Sequence, residues 1–307
     1  MIETLTFLLG GTLLAGTPLL IAALGELVAE KTGILNLSVE GMMAVGAIVA
    51  FMVVSGGGGY WIALAAGGLA ALAVAAVFAV VVIFTLANQV AAGLAVGILG
   101  LGLAGLIGHP FEAQTVAPMP KLPIPGLAEL PVLGPGVFDH VPVVYLAPLM
   151  ALVTWLVLTR TRLGLLLRSV GENPEAANSI GVRVRLIRFC ATVYGGFCAG
   201  VAGGFISVVS ATLWADGIIA GRGWIVVALV VFGTWRAGRI AIGAYLFGMA
   251  TLSGLLVQTT GVAIPSQLLT SIPYIVTIVA IAVLSMNPKL TWLNAPVSLG
   301  QPYLPSK

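Results

Sequence analysis

Nine stretches of apolar residues, separated by short polar punctuation, set the pattern of this chain. They run Leu5–Leu24, Val39–Val54, Trp61–Ala87, Val90–Ile107, Val143–Leu158, Phe189–Val209, Trp224–Phe232, Ile240–Val257 and Leu268–Leu284. A helix needs ~20 predominantly apolar residues to cross a hydrocarbon core of ~30 Å, and most of these runs are long enough. The pattern predicts an all-α, polytopic transmembrane bundle of about eight full spans plus one short or broken span. Trp224–Phe232 is the short one. A broken span is tolerated only where protein or a water-filled path surrounds the freed backbone groups.

Between the fourth and fifth runs, Gly108–Pro142 holds eight of the seventeen prolines. Each internal proline removes a donor and clashes with the preceding turn, so residues 108–142 read as an external loop of extended and turn structure. It is either a passive connector or a lid or partner-docking surface. Gly56–Gly59 reads as a flexible external turn.

Composition agrees with the pattern: 60% of the 307 residues are hydrophobic and 7% are charged, with a mean hydropathy of +1.14. Soluble domains carry about 25% charged residues, so this is an integral membrane protein, read as a single transmembrane domain over 1–307. No basic cluster interleaved with aromatics suggests nucleic acid. The first residues, MIETLTF, lack a basic n-region and read as the start of the first span rather than a cleaved leader. Cys190 and Cys198 are too far apart on one helix to pair, and His109 and His140 have no metal-ligand spacing.

Lys and Arg set the orientation. If Arg160–Arg188 is cytoplasmic and the spans alternate, eleven of the thirteen basic residues lie inside, with only Lys121 and Arg222 outside. Cytoplasmic loops carry such an excess, which implies an external N-terminus, an internal C-terminus and an odd number of crossings.

Charges at membrane depth default to function. Asn36 and Glu40 are four apart and share a face if their helix begins near Gly33, with Ser38 on another side. Glu26 and Glu30, beside Lys31, form either an ion-paired helix end or part of a functional site. Asn88 and Gln89 line a path or mark a tight cytoplasmic turn. Trp214, Asp216, Arg222 and Trp224 offer two indoles, a carboxylate and a guanidinium at the mouth of the short span. That set suits a planar polar ligand such as a nucleobase; the alternative is an interfacial aromatic belt with Asp216 and Arg222 paired.

Within the cytoplasmic loop 159–188, the segment RSVGENPEAANSIG is a polar island. Asn173 suits a helix N-cap, Pro174 the first helical position, Glu175 the positive end of the dipole and Gly181 a left-handed stop. The enclosed helix has about two turns, too short to persist alone, so it needs something to dock against, and Ala176 and Ala177 give it a close-approach face. An ordinary capped surface helix is the other reading. No phosphate-binding loop, HExxH, GxSxG or kinase signature occurs; GELVAEKT has Glu30 where a P-loop needs glycine. The chain therefore carries no ATPase site and no cofactor of its own.

The runs GELVAEKTGILNLSVEGMM, NQVAAGLAVGILGLGL, LGLLLRSVGENPEAANSIGV, AGRGWIVVALVVFGTWR and APVSLGQPY together resemble the permease subunits of bacterial ABC importers, in the branch serving simple sugars and nucleosides. The resemblance covers Leu5 to Tyr303. LNLSVEGMM, GRGW and the terminal LG-Q-PY are more like the nucleoside permeases of the basic membrane protein-dependent type. Sugar-type relatives show a DLSVG run where this chain has Leu35–Gly41. The resemblance implies a multi-pass protein of the bacterial cytoplasmic (inner) membrane. It also implies a complex with cytoplasmic ATPase subunits that carry ATP and Mg, an extracytoplasmic binding protein and a second permease subunit. This chain resembles the shorter of two paralogous permeases, which implies a heterodimer. Glu172, Asn173, Pro174, Glu175, Ala176 and Ala177 match the family's coupling motif and, with the flanking Gly171 and Gly181, would sit in a groove on an ATPase subunit. Asn36, Glu40, Trp214, Asp216, Arg222 and Trp224 remain candidates for the substrate path from the residues alone. A sugar importer of the same class is the main alternative; a stand-alone secondary transporter and a membrane-embedded enzyme fit the residues less well.

Overall fold

The computed structural model describes residues 2–259 and 294–304, with three further helical positions at 275, 279 and 282. Apart from those positions, the run Leu268–Leu284 lies outside the described residues, as do Lys289 and Lys307. Among the described residues ten α-helices follow one another: α1 (Ile2–Glu30), α2 (Val39–Ser55), α3 (Tyr60–Phe84), α4 (Gln89–Gly108), α5 (Pro142–Arg160), α6 (Arg162–Glu172), α7 (Pro174–Ser179), α8 (Val184–Phe205), α9 (Arg222–Phe232) and α10 (Ala237–Thr259).

Among the described residues, five helical segments are long and apolar enough to cross a membrane: Glu3–Glu30, Tyr60–Phe84, Gln89–Phe111, Pro142–Arg160 and Val184–Ser210. Two apolar helices are shorter, Val39–Ser55 and Arg222–Phe232. At 1.5 Å per residue α2 is ~25 Å long and α9 ~16 Å, so α9 reaches only about half way through a ~30 Å core. The short helix expected at Trp224–Phe232 is thus a half-helix that begins two residues earlier, at Arg222.

Helix α2 is the centre of the bundle, buried from Val39 to Ala44 and at most positions to Phe51. Water-driven burial does not hold helices together in lipid; close van der Waals packing of small residues does. At Gly46 an added Cβ would lie 2.4 Å from the Cα of Gly200 on α8, and at Gly200 it would lie 2.4 Å from the carbonyl oxygen of Gly67 on α3. Backbone therefore meets backbone where α2, α3 and α8 come together. Outward positions such as Ile62, Leu69, Ile98 and Leu106 are exposed apolar side chains, as a lipid-facing surface requires.

The proline-rich loop is mostly the extended and turn structure that its prolines dictate, with short helical turns at His109–Phe111 and Gly134–Phe138. Leu122–Pro123 and Asp139–His140 pair as two short antiparallel strands, reinforced by a 2.7 Å Lys121–Asp139 ion pair. The loop also binds the chain that precedes α9: Ala113 N donates to Trp214 O at 3.0 Å, Trp214 N to Gln114 O at 3.1 Å and Val116 N to Thr212 O at 2.9 Å. It lies against the entrance to the half-helix.

Candidate functional site

Two regions gather the polar chemistry: the segment from α6 to α8, and the contact between α2 and the start of α9. In the first, Asn173 ends α6 and caps α7, its Oδ1 accepting from Ala176 N at 2.9 Å. Gly181 has φ +86°, the left-handed conformation that its place after the helix requires, and Gly181 N and Val182 N return to Asn178 O and Ala177 O at 2.9 and 3.1 Å.

The shared face expected of Ala176 and Ala177 does not form. Ala177 is buried with Val170, Val184 and Tyr303, whereas Ala176 and Glu175 are exposed. One residue anchors α7 to its own chain and the other belongs to the outward surface. Beside them Ile180 is 77% exposed, a large apolar side chain on the outward side of an otherwise polar segment. Sequence reasoning passed over it, although an isoleucine directly before a left-handed glycine in a polar island was a visible signal.

The segment is wired into the bundle from beneath. Gly171 is buried, and its carbonyl accepts from Ser298 N at 2.9 Å and from Ser298 Oγ at 2.7 Å. Arg188, 2% exposed, donates from Nε to Thr32 O at 2.9 Å, from Nη2 to Ser298 Oγ at 2.9 Å and from Nη1 to Gln301 O at 3.3 Å. One guanidinium thus joins the end of α1, the start of α8 and the C-terminal tail. Its planar fork of donors makes this possible where a lysine would serve fewer acceptors. Gln89 adds a second tie, accepting from Leu35 N at 2.7 Å and reaching Gln301 O at 3.4 Å, while Asn88 caps α4 through Val90 N and Ala91 N. The turn expected at Asn88–Gln89 is present, with Gln89 also serving as a clamp.

In the second region α2 begins at Val39, so Asn36 precedes the helix and does not share a face with Glu40. The residues between Gly33 and Ser38 are turn and extended chain held by side chains. Asn36 is fully buried: its N and Nδ2 donate to the Glu26 carboxylate at 3.3 Å each, and its Oδ1 accepts from Ser38 N at 3.0 Å. Glu30 accepts from Trp235 Nε1 at 2.5 Å. The ion-paired helix end expected of Glu26, Glu30 and Lys31 is replaced by these bonds, because amide and indole donors from other segments reach the carboxylates first. Lys31 turns to Asn294 O at 2.8 Å. Burial pushes its ammonium down to about 8, against the opposing pull of Glu172.

Glu40 meets the broken span directly. Its Oε1 accepts from Gly221 N at 2.7 Å and its Oε2 from Gly223 N at 2.6 Å, so the carboxylate closes the N-terminus of α9. The first amides of a helix lack internal partners and carry a partial positive charge, which a carboxylate satisfies on both counts. An added Cβ on Gly223 would lie 2.4 Å from Glu40 N and Cα, so only glycine allows this approach. The next residue, Gly41, packs against Gly97 of α4, ~12 Å along that helix from its first residue, so the junction lies deep in the bundle.

The two tryptophans part company. Trp214 is 2% exposed and packs against Phe51 at a centroid distance of 6.5 Å, as part of the core. Trp224 is 45% exposed on α9. Asp216 is exposed, with Oδ1 accepting from Gly217 N at 2.9 Å, and Arg222 Nη1 donates to Ile218 O at 2.7 Å. Asp216 and Trp224 are therefore exposed around the entrance to α9 and Arg222 is half-buried between them, while Asn36, Glu40 and Trp214 hold the frame behind them.

A sequence model of the family "Branched-chain amino acid transport system / permease component" matches residues 8–284. The chain belongs to this family. It is an ABC transporter permease, a multi-pass membrane protein. Three relatives align along almost their whole length. The putative glucose ABC transporter permease protein TsgC13 of Haloferax volcanii is 38% identical over 96% of this chain and 97% of its own. The guanosine ABC transporter permease protein NupQ of Bacillus subtilis is 30% identical over 100% and 99%, and the nucleoside ABC transporter permease protein NupC of Lactococcus lactis is 30% identical over 95% and 98%. No solved structure matches the chain. In a permease of this family, partner ATPase and substrate-binding subunits are implied.

Proposed function

We propose that this permease is the membrane subunit of an importer for nucleosides or other nucleobase-containing solutes, driven by ATPase subunits that dock on α7. The observation that carries the coupling assignment is the outward presentation of Glu175 and Ala176 by a six-residue helix, and of Ile180 directly after it, while its other side is locked to the bundle through Ala177. A helix this short does not hold itself together, so its rigidity comes from its own chain and its exposed side is available to a partner. ATP and Mg belong to that partner. A second permease, paralogous to this one, completes the membrane unit.

The nucleobase assignment draws on the accessible Trp224, Arg222 and Asp216, which offer stacking surface and hydrogen bonds to a planar polar solute, and on the guanosine and nucleoside permeases among the relatives. A simple sugar is the second reading, favoured by the higher identity to the putative glucose permease. Reconstituted complex supplied with its binding protein is expected to accumulate labelled guanosine in preference to glucose. Trp224→Ala is expected to slow that uptake several-fold more than it slows ATP hydrolysis. Accumulation of glucose alone would replace the nucleoside reading with the sugar one.

The basic residues support an external N-terminus and an internal C-terminus. Single cysteines at Thr4 and Ser306, in a chain with Cys190 and Cys198 replaced, are expected to react with an impermeant thiol reagent from opposite sides of the membrane. Labelling of both from one side would refute this topology.

A further inference from the structure

Beside α7, the end of α3, the start of α8 and the C-terminal tail enclose a groove of about 580 Å³, lined by Phe84, Asn178, Arg183, Arg185, Phe189 and Tyr303, with Leu186 at its side. That volume lies within the range of ~300–1,000 Å³ usual for small-molecule sites. Its lining is of two chemical kinds. One is the basic pair Arg183 and Arg185, and no lining residue is acidic. The other is the Phe84–Phe189 pair, packed edge to face at 6.4 Å, and Leu186; Phe84 and Leu186 are each 51% exposed.

Two buried polar groups on this groove have no partner among the described residues: Nε of Arg185 and the hydroxyl of Tyr303. Tyr303 is only 7% exposed, and its ring is held beneath the Arg188 guanidinium at 5.8 Å, so the hydroxyl is not free to swing out to water. Native proteins rarely leave buried donors unpaired, because desolvating them without a partner is costly. Both atoms lie just beneath the groove surface, so acceptor oxygens bearing negative charge would reach them as the lining side chains part around a ligand, and would balance the two arginines. Apolar and basic side chains lining one groove call for a ligand that is anionic at one end and hydrocarbon at the other. The groove also stands where α3 ends and α8 begins, the level at which basic pockets between membrane helices bind anionic lipid headgroups.

We propose that this groove is a binding site for an anionic phospholipid, its phosphodiester held by Arg183, Arg185 and Tyr303 and its acyl chains laid along Phe84, Phe189 and Leu186. Asn178 belongs to α7 and Tyr303 packs on Ala177, so an occupied groove braces the helix on which the ATPase assignment rests. Lipid binding itself does not depend on that assignment, since it is read without transport.

The test uses the whole complex in nanodiscs of phosphatidylcholine containing a minority of phosphatidylglycerol, released into the gas phase for native mass spectrometry. Wild type is expected to retain phosphatidylglycerol above its bulk fraction. The double variant Arg183→Gln/Arg185→Gln is expected to lose roughly ten- to thirtyfold of that preference, as the removal of two basic contacts implies. Tyr303→Phe, which keeps the ring packing and removes only the hydroxyl, is expected to lose several-fold. Arg160→Gln, outside the groove, should change nothing. Equal retention in wild type and both groove variants would overturn the proposal. So would displacement of the lipid by millimolar glycerol 3-phosphate, which would make the ligand a soluble anion. A preference seen in the isolated permease but absent from the assembled complex would also overturn it, by giving the groove to an ATPase subunit.

Discussion

Glu175→Arg and Ala176→Trp are each expected to reduce transport at least a hundredfold while leaving the chain inserted, folded and normally abundant. Both side chains are exposed on α7, where substitutions away from packing cost within ~0.5 kcal/mol, so a merely structural helix would tolerate them. Reversed charge at Glu175 also opposes the positive end of the α7 dipole, a penalty of ~0.3–1 kcal/mol that is too small to unfold the bundle. The loss should appear as failure to co-purify with the ATPase subunits. Ala177→Trp provides the contrast: its site is buried against Val170, Val184 and Tyr303, so bulk there should lower stability in detergent as well as coupling. Normal uptake in the Glu175 and Ala176 variants, or instability equal to that of Ala177→Trp, would remove α7 from the coupling role.

Replacing Glu40 with alanine is expected to be the most destabilising single loss of a polar side chain in the bundle. The carboxylate serves two backbone N–H groups at 2.7 and 2.6 Å, and the side chain is 6% exposed. Hydrogen bonds to charged groups contribute ~1.5–3 kcal/mol each, so losing both costs about 3–6 kcal/mol, a large share of the 5–15 kcal/mol that holds an ordinary domain together. Glu40→Gln keeps one acceptor and turns an amide donor toward the other N–H, and should fall between wild type and Glu40→Ala. Thermal unfolding in detergent and proteolysis around Gly217–Gly223 would report the difference. If Glu40→Ala melts within a degree of wild type, the helix entrance is held by something else.

Much of the frame was legible in the sequence because membrane spans are dictated by apolar length alone. The capped helix at Pro174 was legible for a local reason: Asn, Pro, Glu and Gly each act on backbone groups within a turn of themselves. The polar interior was not, because its partners are remote in the chain. Glu40 bonds to Gly221 and Gly223, Glu26 to Asn36 across a turn that is not helical, and Arg188 to Thr32 and Ser298. The spacing of Asn36 and Glu40 suggested a common face only on the assumption that the helix had already begun. Likewise, Trp214 and Trp224 looked equivalent as flanking indoles until packing against Phe51 took one into the core. Residue type announces that a buried carboxylate or guanidinium must find a partner, and tertiary structure decides which.

The half-helix α9 is bounded by left-handed backbone at both ends: Ala220 and Gly221 at φ +50° and +80° before it, Thr234 and Trp235 at φ +48° and +53° after it. One end is gripped by Glu40 of α2 and the other by Glu30 of α1 through Trp235. A rod ~16 Å long, pivoted at each end on a different neighbour, behaves as a lever: a tilt of about 10° swings its far end by roughly 3 Å. Displacement of α1 relative to α2 cannot be absorbed within such a rod and must appear as that swing, carrying the exposed Trp224 with it.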